Sequence, residues 1–375
     1  MHSIDELKNL KGKRILLRLD LNAPIVNGAI TDPFRIDRAL KSIQFLIARE
    51  ARVVLVSHLS DSRGSLVPVY EYLKKKMPLT FVDDIAGVEA HQAVEALQDG
   101  EAVLLQNIRM SDDEKKNDAH FAREIASLAD MYINDAFPAS HRIHASIVGV
   151  AGILPAYAGF QFFDEVAGLT PALTPESPSL AIVGGAKLTT KVALIETLLK
   201  KYDSVFVGGA IANDFFKAKG YEVGMSLVSG ADTAKTMLGN SKIILPEFVT
   251  VEGPNGRRDI LASEVGKNEA ILDIAPASIQ ALQSIINASH SILWNGPMGN
   301  FEKGFIAGTD ALAIAIAGSS AKSIVGGGDT LSSIQNLGLM DKFTFVSTAG
   351  GAMLDFLANG TLPGIDALDQ SASSF

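Results

Sequence analysis

Lys187 and Lys191 stand four residues apart, just after Gly184-Gly185 and just before a helical pattern. That spacing predicts both ammonium groups on one helix face near its N-terminus, where cations oppose the helix dipole. An anion between them removes the penalty, so the pair points to a phosphate. Four more apolar runs in the same half of the chain end in glycine: Gly208-Gly209, Asn295-Gly296-Pro297, Gly326-Gly327-Gly328-Asp329-Thr330 and Gly350-Gly351. A strand that runs through glycine into a helix leaves backbone N–H groups free at the positive end of the dipole. The missing Cβ lets a phosphate approach them. Any one such pair can be a tight strand-to-helix turn and nothing more. Five in one half point to a long polyphosphate ligand. Neither GxxxxGK[ST] nor GxGxxG occurs, which argues against a Walker A site and against a dinucleotide-binding half. Asp329 either caps the helix that follows or, beside phosphates, holds Mg²⁺, which takes one or two carboxylates plus phosphate oxygens. Glu302, shortly after Asn295-Gly296-Pro297, says little by itself.

The first half carries different chemistry at the ends of its apolar runs. Asp20 and Asn22, Ser57 and His58, Asn107 and Arg109, then Asn134, Asp135, His141, Arg142 and His144 follow in turn. Arg35, Arg109 and Arg142 offer planar forks suited to carboxylates and phosphates. A lone arginine is ordinarily a solvated surface residue; three that converge with His58, His141 and Asn22 would form an anion site, and sequence does not establish convergence. The His141-Arg142-Ile143-His144 run lacks the HExxH spacing of a zinc signature.

These residues need elements to hold them. Arg14–Leu19, 53–56, 102–105, 131–133, 180–183, 205–207, 292–294, 323–325 and 343–346 are short Val/Ile/Leu-rich runs that read as strands buried on both faces. Helical patterns alternate with them at 38–49, 67–76, 119–129, 192–201 and 331–337. The alternation predicts parallel sheets covered by helices, an α/β fold. Ligands in such sheets bind beyond the carboxyl ends of the strands. Only 8 of 33 glycines lie in residues 1–165, while six of seven histidines do. The two halves are therefore expected to hold two different ligands in two domains, with the boundary near 157–175. A length of 375 residues agrees with about two domains.

Composition excludes other classes. With 33 basic and 42 acidic residues the formal charge is −9, which disfavours a generic nucleic-acid binder or a binder of anionic membranes. There is no cysteine, hence no disulfide, thiolate nucleophile or Cys-based metal site. Residues 1–14 lack the apolar core of a signal peptide, and no apolar run approaches the ~20 residues of a membrane span. The expectation is a cytoplasmic protein acting on small molecules, without nucleic acid or membrane partners, and a monomer.

Taken in order along nearly the whole chain, these segments resemble the phosphoglycerate kinase family. The likeness is carried by Arg18-Leu19-Asp20-Leu21-Asn22-Ala23-Pro24, Thr31-Asp32 with Arg35, Ser57-His58-Leu59, Asn107-Ile108-Arg109, Asn134-Asp135-Ala136-Phe137 and His141-Arg142 with His144-Ala145-Ser146. In the second half it is carried by Gly184 to Lys187 with Lys191, Trp294-Asn295-Gly296-Pro297 with Phe301-Glu302, Gly326 to Thr330, and Ser347-Thr348-Ala349-Gly350-Gly351. The resemblance implies two Rossmann-like domains with mainly parallel sheets joined by a hinge helix. It places a phosphoglycerate-binding domain at 1–156, a helix and linker at 157–175, a nucleotide-binding domain at 176–361, and a tail at 362–375 that packs back on the first domain. It implies reversible, Mg²⁺-dependent phosphoryl transfer between 1,3-bisphosphoglycerate and ADP, giving 3-phosphoglycerate and ATP. Asp20, Asn22, Arg35, His58, Arg109 and Arg142 would hold phosphoglycerate. Lys187, Lys191, Gly208, Asn295, Glu302, Gly327, Gly328, Asp329 and Thr330 would hold ATP or ADP, with Asp329 at the metal. Arg35, Lys187, Gly327 and Gly328 would carry catalysis.

That chemistry needs no general base. The acceptor carboxylate, with a pKa around 4, is already ionised at neutral pH, so catalysis must come from alignment and charge neutralisation. The chain departs from the family at Asp61, where a substrate arginine is usual, with Arg63 as the nearby cation that could compensate. It departs also at Gln106, at Pro138-Ala139-Ser140, and at Ile271 and Ala275 in place of glycines. Asp61 leaves two alternatives open: a catalytically weak nucleotide-binding paralogue with a regulatory role, or a kinase for a related acyl phosphate.

Overall fold

The computed structural model describes residues 1–374. Contacts divide it into two units, one of residues 1–166 with the stretch from Thr361 onward, the other Ala167–Gly360.

The first unit is built on a six-stranded sheet in the order Thr80–Phe81, Ala102–Leu104, Arg52–Val56, Arg14–Leu19, Met131–Asp135, Ala156–Ala158, parallel at every pair. The chain builds outward from Arg14–Leu19 on one side and returns to its other side at Met131–Asp135, so strand order reverses at Arg14–Leu19. Its residues Ile15, Leu16, Leu17 and Leu19 are almost wholly buried, as a strand with helices on both faces requires. The helix Phe34–Ile47 shows how one element buries and presents at once. Ile36, Ala39, Ile43 and Leu46 recur at helical spacing and are buried, each worth ~1.5–3 kcal/mol if a large aliphatic. Arg35, one position off that stripe, stays partly exposed in the first turn. Asp32 accepts the Phe34 N–H at 3.0 Å, so the sequence Asp-Pro starts the helix. The helix Pro363–Ser374 belongs to this unit: Gly364 N–H donates to Ser140 O (2.9 Å) and Ala156 N–H to Ser371 Oγ (3.0 Å). Of the expected tail 362–375, Phe375 lies outside the described residues. The boundary between the units, at Val166 and Ala167, falls inside the helix Phe160–Leu169.

The second unit has its own six-stranded parallel sheet, in the order Ile243–Ile244, Ser204–Val207, Ser179–Val183, Ser291–Asn295, Lys322–Gly326, Phe345–Ser347. Numbered along the chain this is the doubly wound order, which reverses between Ser179–Val183 and Ser291–Asn295. Trp294, Phe206, Ile182 and Leu312 centre its core.

Three expectations need correction. Lys187 and Lys191 do not share a helix face, because a 3₁₀ turn, Leu188–Thr190, lies between them and the α-helix Val192–Lys201 starts only after Lys191. The last strand is displaced to Phe345–Ser347, since Phe343 follows a 3₁₀ turn, Met340–Lys342, and packs beside Trp294. An antiparallel sheet of Gly256–Leu261, Phe248–Gly253 and Ala270–Ile274 stands beside the parallel one, unforeseen. Its outer strand reads Gly-Arg-Arg-Asp and is exposed, so it shows no apolar run.

Candidate functional site

In the first unit part of the polar set at the strand ends comes together: Asn22 and Arg35 line one cavity, whereas Asp20, His58, Arg109 and Arg142 are not among its lining residues. Arg35 donates to Asp20 Oδ2 at 2.8 Å; Asp20 is buried, and the Arg35 side chain is 39% exposed, with only Nη1 of its fork bonded to Asp20. Asn22 exchanges two hydrogen bonds with Ser60, donating to Oγ (2.9 Å) and accepting from N–H (2.8 Å). Asn107 organises the 59–64 loop: its Oδ1 accepts from Leu59 and Arg109 N–H, and its amide donates to the carbonyls of Asp61 and Gly64. The neighbouring Gln106 accepts from Leu66 N–H and donates to Asp83 Oδ1 at 2.7 Å, a bond that a carboxylate at this position would not make without a proton. Asn22, Arg35, Ser60 and Asp61 line one cavity of about 690 Å³. Asp61 is exposed; its Oδ1 accepts from the Arg63 N–H (2.9 Å), and Arg63 is not among the lining residues. The expected guanidinium of Arg63 in place of Asp61 is therefore absent from this wall.

Behind the wall lies a buried charged network. Arg18, fully buried, donates Nε–H to Ser146 Oγ (2.9 Å) and an Nη2–H to His58 Nδ1 (3.1 Å). Ser146 donates Oγ–H to Glu114 Oε1 (2.7 Å) and its N–H to Oε2 (2.9 Å). Burial raises the Glu114 carboxyl, but His144, Arg18 and Ser146 outweigh it and hold it below the ordinary range. Burial, then Arg18, Arg142, His144 and Arg35, hold the His58 imidazole well below its ordinary range. Arg109 is buried, with an Nη1–H to Leu59 O at 3.3 Å and its Nε without a partner. Arg142 donates to His141 Nε2 at 3.2 Å.

In the second unit the glycine turns lock together. Gly184 N–H donates to Asn295 O (2.9 Å), Gly185 N–H to Pro297 O (3.0 Å) and Gly208 N–H to Val183 O (2.9 Å). A Cβ on Gly296, whose φ is +95°, would stand 2.5 Å from Gly184 O. That glycine is demanded by packing. Gly328 is different: it opens the helix Gly328–Asn336 with ordinary φ, and nothing lies within 4 Å of where its Cβ would be. Nothing among the described residues demands glycine there, and open backbone at a helix N-terminus is suited to an anion. Beside it Thr330 Oγ1 is buried without a partner among the described residues, and Asp329 is exposed.

A cavity of about 320 Å³ is lined by Gly185, Gly209, Leu227, Ile271, Glu302 and Asp329, among others. Apolar walls with carboxylates and glycine turns at the margin suit a base with an attached polyphosphate. Lys187 is exposed, and its ammonium has no partner among the described residues, though its carbonyl accepts from Thr190 Oγ1 (2.9 Å). Lys191 instead folds back, donating to Gly184 O (2.7 Å) and Asn295 Oδ1 (2.8 Å), and burial lowers its ammonium to about 8. Among the described residues no group of three or more His, Cys, Asp or Glu could hold a metal ion. Asp329 together with phosphate oxygens is a sufficient donor set for Mg²⁺.

Sequence reasoning singled out neither Arg18 nor Glu114 for a role. An arginine inside the apolar strand Arg14–Leu19 was the available signal. Asp273 was missed as well: it lines the second cavity, accepts from Ile274 and Gly308 N–H, and burial pushes it up to about 7.

Comparison with known proteins bears on both sites. The family model for phosphoglycerate kinase matches residues 4–360. The phosphoglycerate kinase of Pelotomaculum thermopropionicum is 42% identical, over 96% of this chain and 97% of its own length. That of Dictyoglomus turgidum is 41% identical over 96% of each. The structure of phosphoglycerate kinase from Coxiella burnetii, 39% identical, superposes with a TM-score of 0.87 over 100% of this chain and 99% of that one. The enzyme from Pyrococcus horikoshii, 30% identical, gives 0.91 over 100% of both.

Proposed function

The chain belongs to the phosphoglycerate kinase family, and on that premise we propose that its two anion sites take the two substrates of one reaction, phosphoglycerate in the first unit and nucleotide in the second. The activity is phosphoryl transfer to a carboxyl group, reversibly between 1,3-bisphosphoglycerate and ADP, a step of glycolysis. The observation that carries the assignment is the pair of unlike sites, each at the carboxyl end of its own parallel sheet: arginines and histidines on one, glycine turns and a free lysine on the other.

Asp20, Asn22, Arg35, His58, Arg109 and Arg142 bind phosphoglycerate. Asp20 orients Arg35, whose remaining N–H groups face the phosphoryl group as it moves. In the second site Gly327, Gly328 and Thr330 offer backbone N–H groups to the phosphates, Lys187 reaches the transferred group, and Glu302 and Gly208 border the nucleotide. Asn295 and Lys191 hold the glycine turns together, and Lys191 turns to the phosphates when they arrive. Asp329, with phosphate oxygens, would hold Mg²⁺, which would supply charge neutralisation there. No proton need be removed, so preorganised cations supply the rate enhancement. The domain limits are 1–156 and 176–361, with the helix at 160–169 as the hinge. Each ligand site is built within one chain, which supports a monomer, and glycolytic substrates support a cytoplasmic setting.

Calorimetric titration tests the assignment. Arg35→Ala is expected to abolish 3-phosphoglycerate binding and leave MgADP binding intact, and Lys187→Ala to weaken MgADP alone. Loss of both ligands in either variant would overturn it.

A further inference from the structure

The buried network behind the first site fixes a protonation state. An arginine can only donate, so the nitrogen it meets must accept. Arg18 Nη2 meets His58 at Nδ1, 3.1 Å away, and the ring's proton must therefore sit on Nε2. Nε2 makes no hydrogen bond among the described residues and is not among the buried unpartnered atoms. The guanidinium is itself pinned. Its Nε–H is held by Ser146 Oγ, and Ser146 gives both Oγ–H and N–H to Glu114, which is wholly buried. Donation runs outward from Arg18, to His58 Nδ1 on one side and to Ser146 Oγ on the other, and from Ser146 on to Glu114. Reversing any member would set two donors face to face.

We propose that Arg18 is a positioning residue that holds His58 as the neutral Nε2–H tautomer, with Glu114, through Ser146, as the fixed counter-charge. The ring then offers an anionic substrate a hydrogen-bond donor and adds no further positive charge to those already gathered there. The groups that face His58 are Arg18, Arg142, His144 and Arg35, all basic, while Glu114, Tyr132 and Asp20, together with the cationic Arg142, face Arg18. A charged imidazolium would place two donors against each other at Nδ1 among those cations. The consequence for substrate rests on the phosphoglycerate assignment above; the tautomer does not.

Long-range ¹H–¹⁵N correlation spectra of the free, full-length protein read the tautomer directly, with the His58 signal identified by its loss in His58→Gln. The expected result is an unprotonated Nδ1 and a protonated Nε2, unchanged between about pH 5.5 and about 8. A protonated Nδ1, or an imidazolium at neutral pH, would overturn the proposal. Arg18→Met removes the guanidinium counter-charge of the buried Glu114, leaving it His144 at 3.6 Å, and can fail to fold, so the paired variant Arg18→Met/Glu114→Gln carries the second arm. In it His58 is expected to populate both tautomers, and KM for 3-phosphoglycerate to rise about tenfold, the worth of one hydrogen bond to a charged group, with KM for ATP unchanged. An unaltered His58 signal in that variant would show that Arg18 does not set the tautomer. If the tautomer is as expected but 3-phosphoglycerate does not move the His58 signal, Arg18's role stands and the substrate placement fails.

Discussion

Asp61 lines the same cavity as Arg35, which sets a carboxylate beside a site for anions. Two like charges ~4 Å apart repel by ~4 kcal/mol at an effective dielectric near 20, but by only ~1 kcal/mol in water. Asp61 is exposed and tied by Oδ1 to the Arg63 N–H, so the smaller figure applies. Asp61→Asn keeps that acceptor and loses the charge. KM for 3-phosphoglycerate is expected to fall about fivefold in steady-state kinetics, with kcat nearly unchanged; an unchanged KM would place the carboxylate away from the ligand. The buried Asp273 carries a different signal. Burial raises its carboxyl from 3.8 to about 7. Its protonated form stabilises the fold fully below about pH 4, and that contribution is lost as pH rises through 7. Asp135, raised to about 6, acts with the same sign. Relative to Asp273→Asn, the wild-type Tm is therefore expected to decline between about pH 4 and about 7 and then run parallel. Parallel calorimetric profiles across the whole range would show that Asp273 does not titrate there.

At the scale of the element, two glycines that look alike in the sequence have opposite reasons. Gly296→Ala forces a Cβ to 2.5 Å from Gly184 O at positive φ, and is expected to destabilise the second unit by several kcal/mol. Gly328→Ala meets open space in a helix, so Tm is expected to hold or rise slightly. Its methyl would still stand between a phosphate and the backbone, and MgADP affinity is expected to fall at least about tenfold. Thermal melts and titration calorimetry separate the two; unchanged MgADP affinity in Gly328→Ala would remove the phosphate from that helix. Which glycine does which was not legible in the chain, because it depends on what packs opposite. The elements themselves were more legible. The helix Val192–Lys201 was bounded correctly from its periodicity, and the core strands announced themselves as apolar runs. The sheet formed by Phe248–Gly253, Gly256–Leu261 and Ala270–Ile274 did not, since a strand with one wet face alternates and its charged edge imitates a loop. The turn at Gly253-Pro254-Asn255-Gly256 was the clue to that hairpin. The cost was a cavity wall, since Ile271, Leu272 and Asp273 all come from that sheet. Lys191 was misplaced for a similar reason: spacing by four gives a shared face only where the helix has already begun.

At the scale of the molecule, the proposed assignment gives each unit one ligand, and transfer then requires the two ligands to meet with water excluded. Small-angle scattering is expected to show further compaction with 3-phosphoglycerate and nucleotide together than with either alone; equal radii would count against a hinge. The partition of glycine and histidine between the halves was readable in the sequence and gave the expectation of two ligands, whereas the chain of contacts from Glu114 to His58 spans residues far apart in sequence and needed the fold. The central claim is that this chain, Asp61 included, transfers a phosphoryl group between these two ligands. A coupled assay of the purified protein with 3-phosphoglycerate and ATP tests it most directly, run with Mg²⁺ and again with the metal chelated. The expected result is sustained turnover at ~1–10³ s⁻¹ that needs both substrates and disappears on chelation. No turnover with both substrates and Mg²⁺ present, while nucleotide still binds, would contradict it.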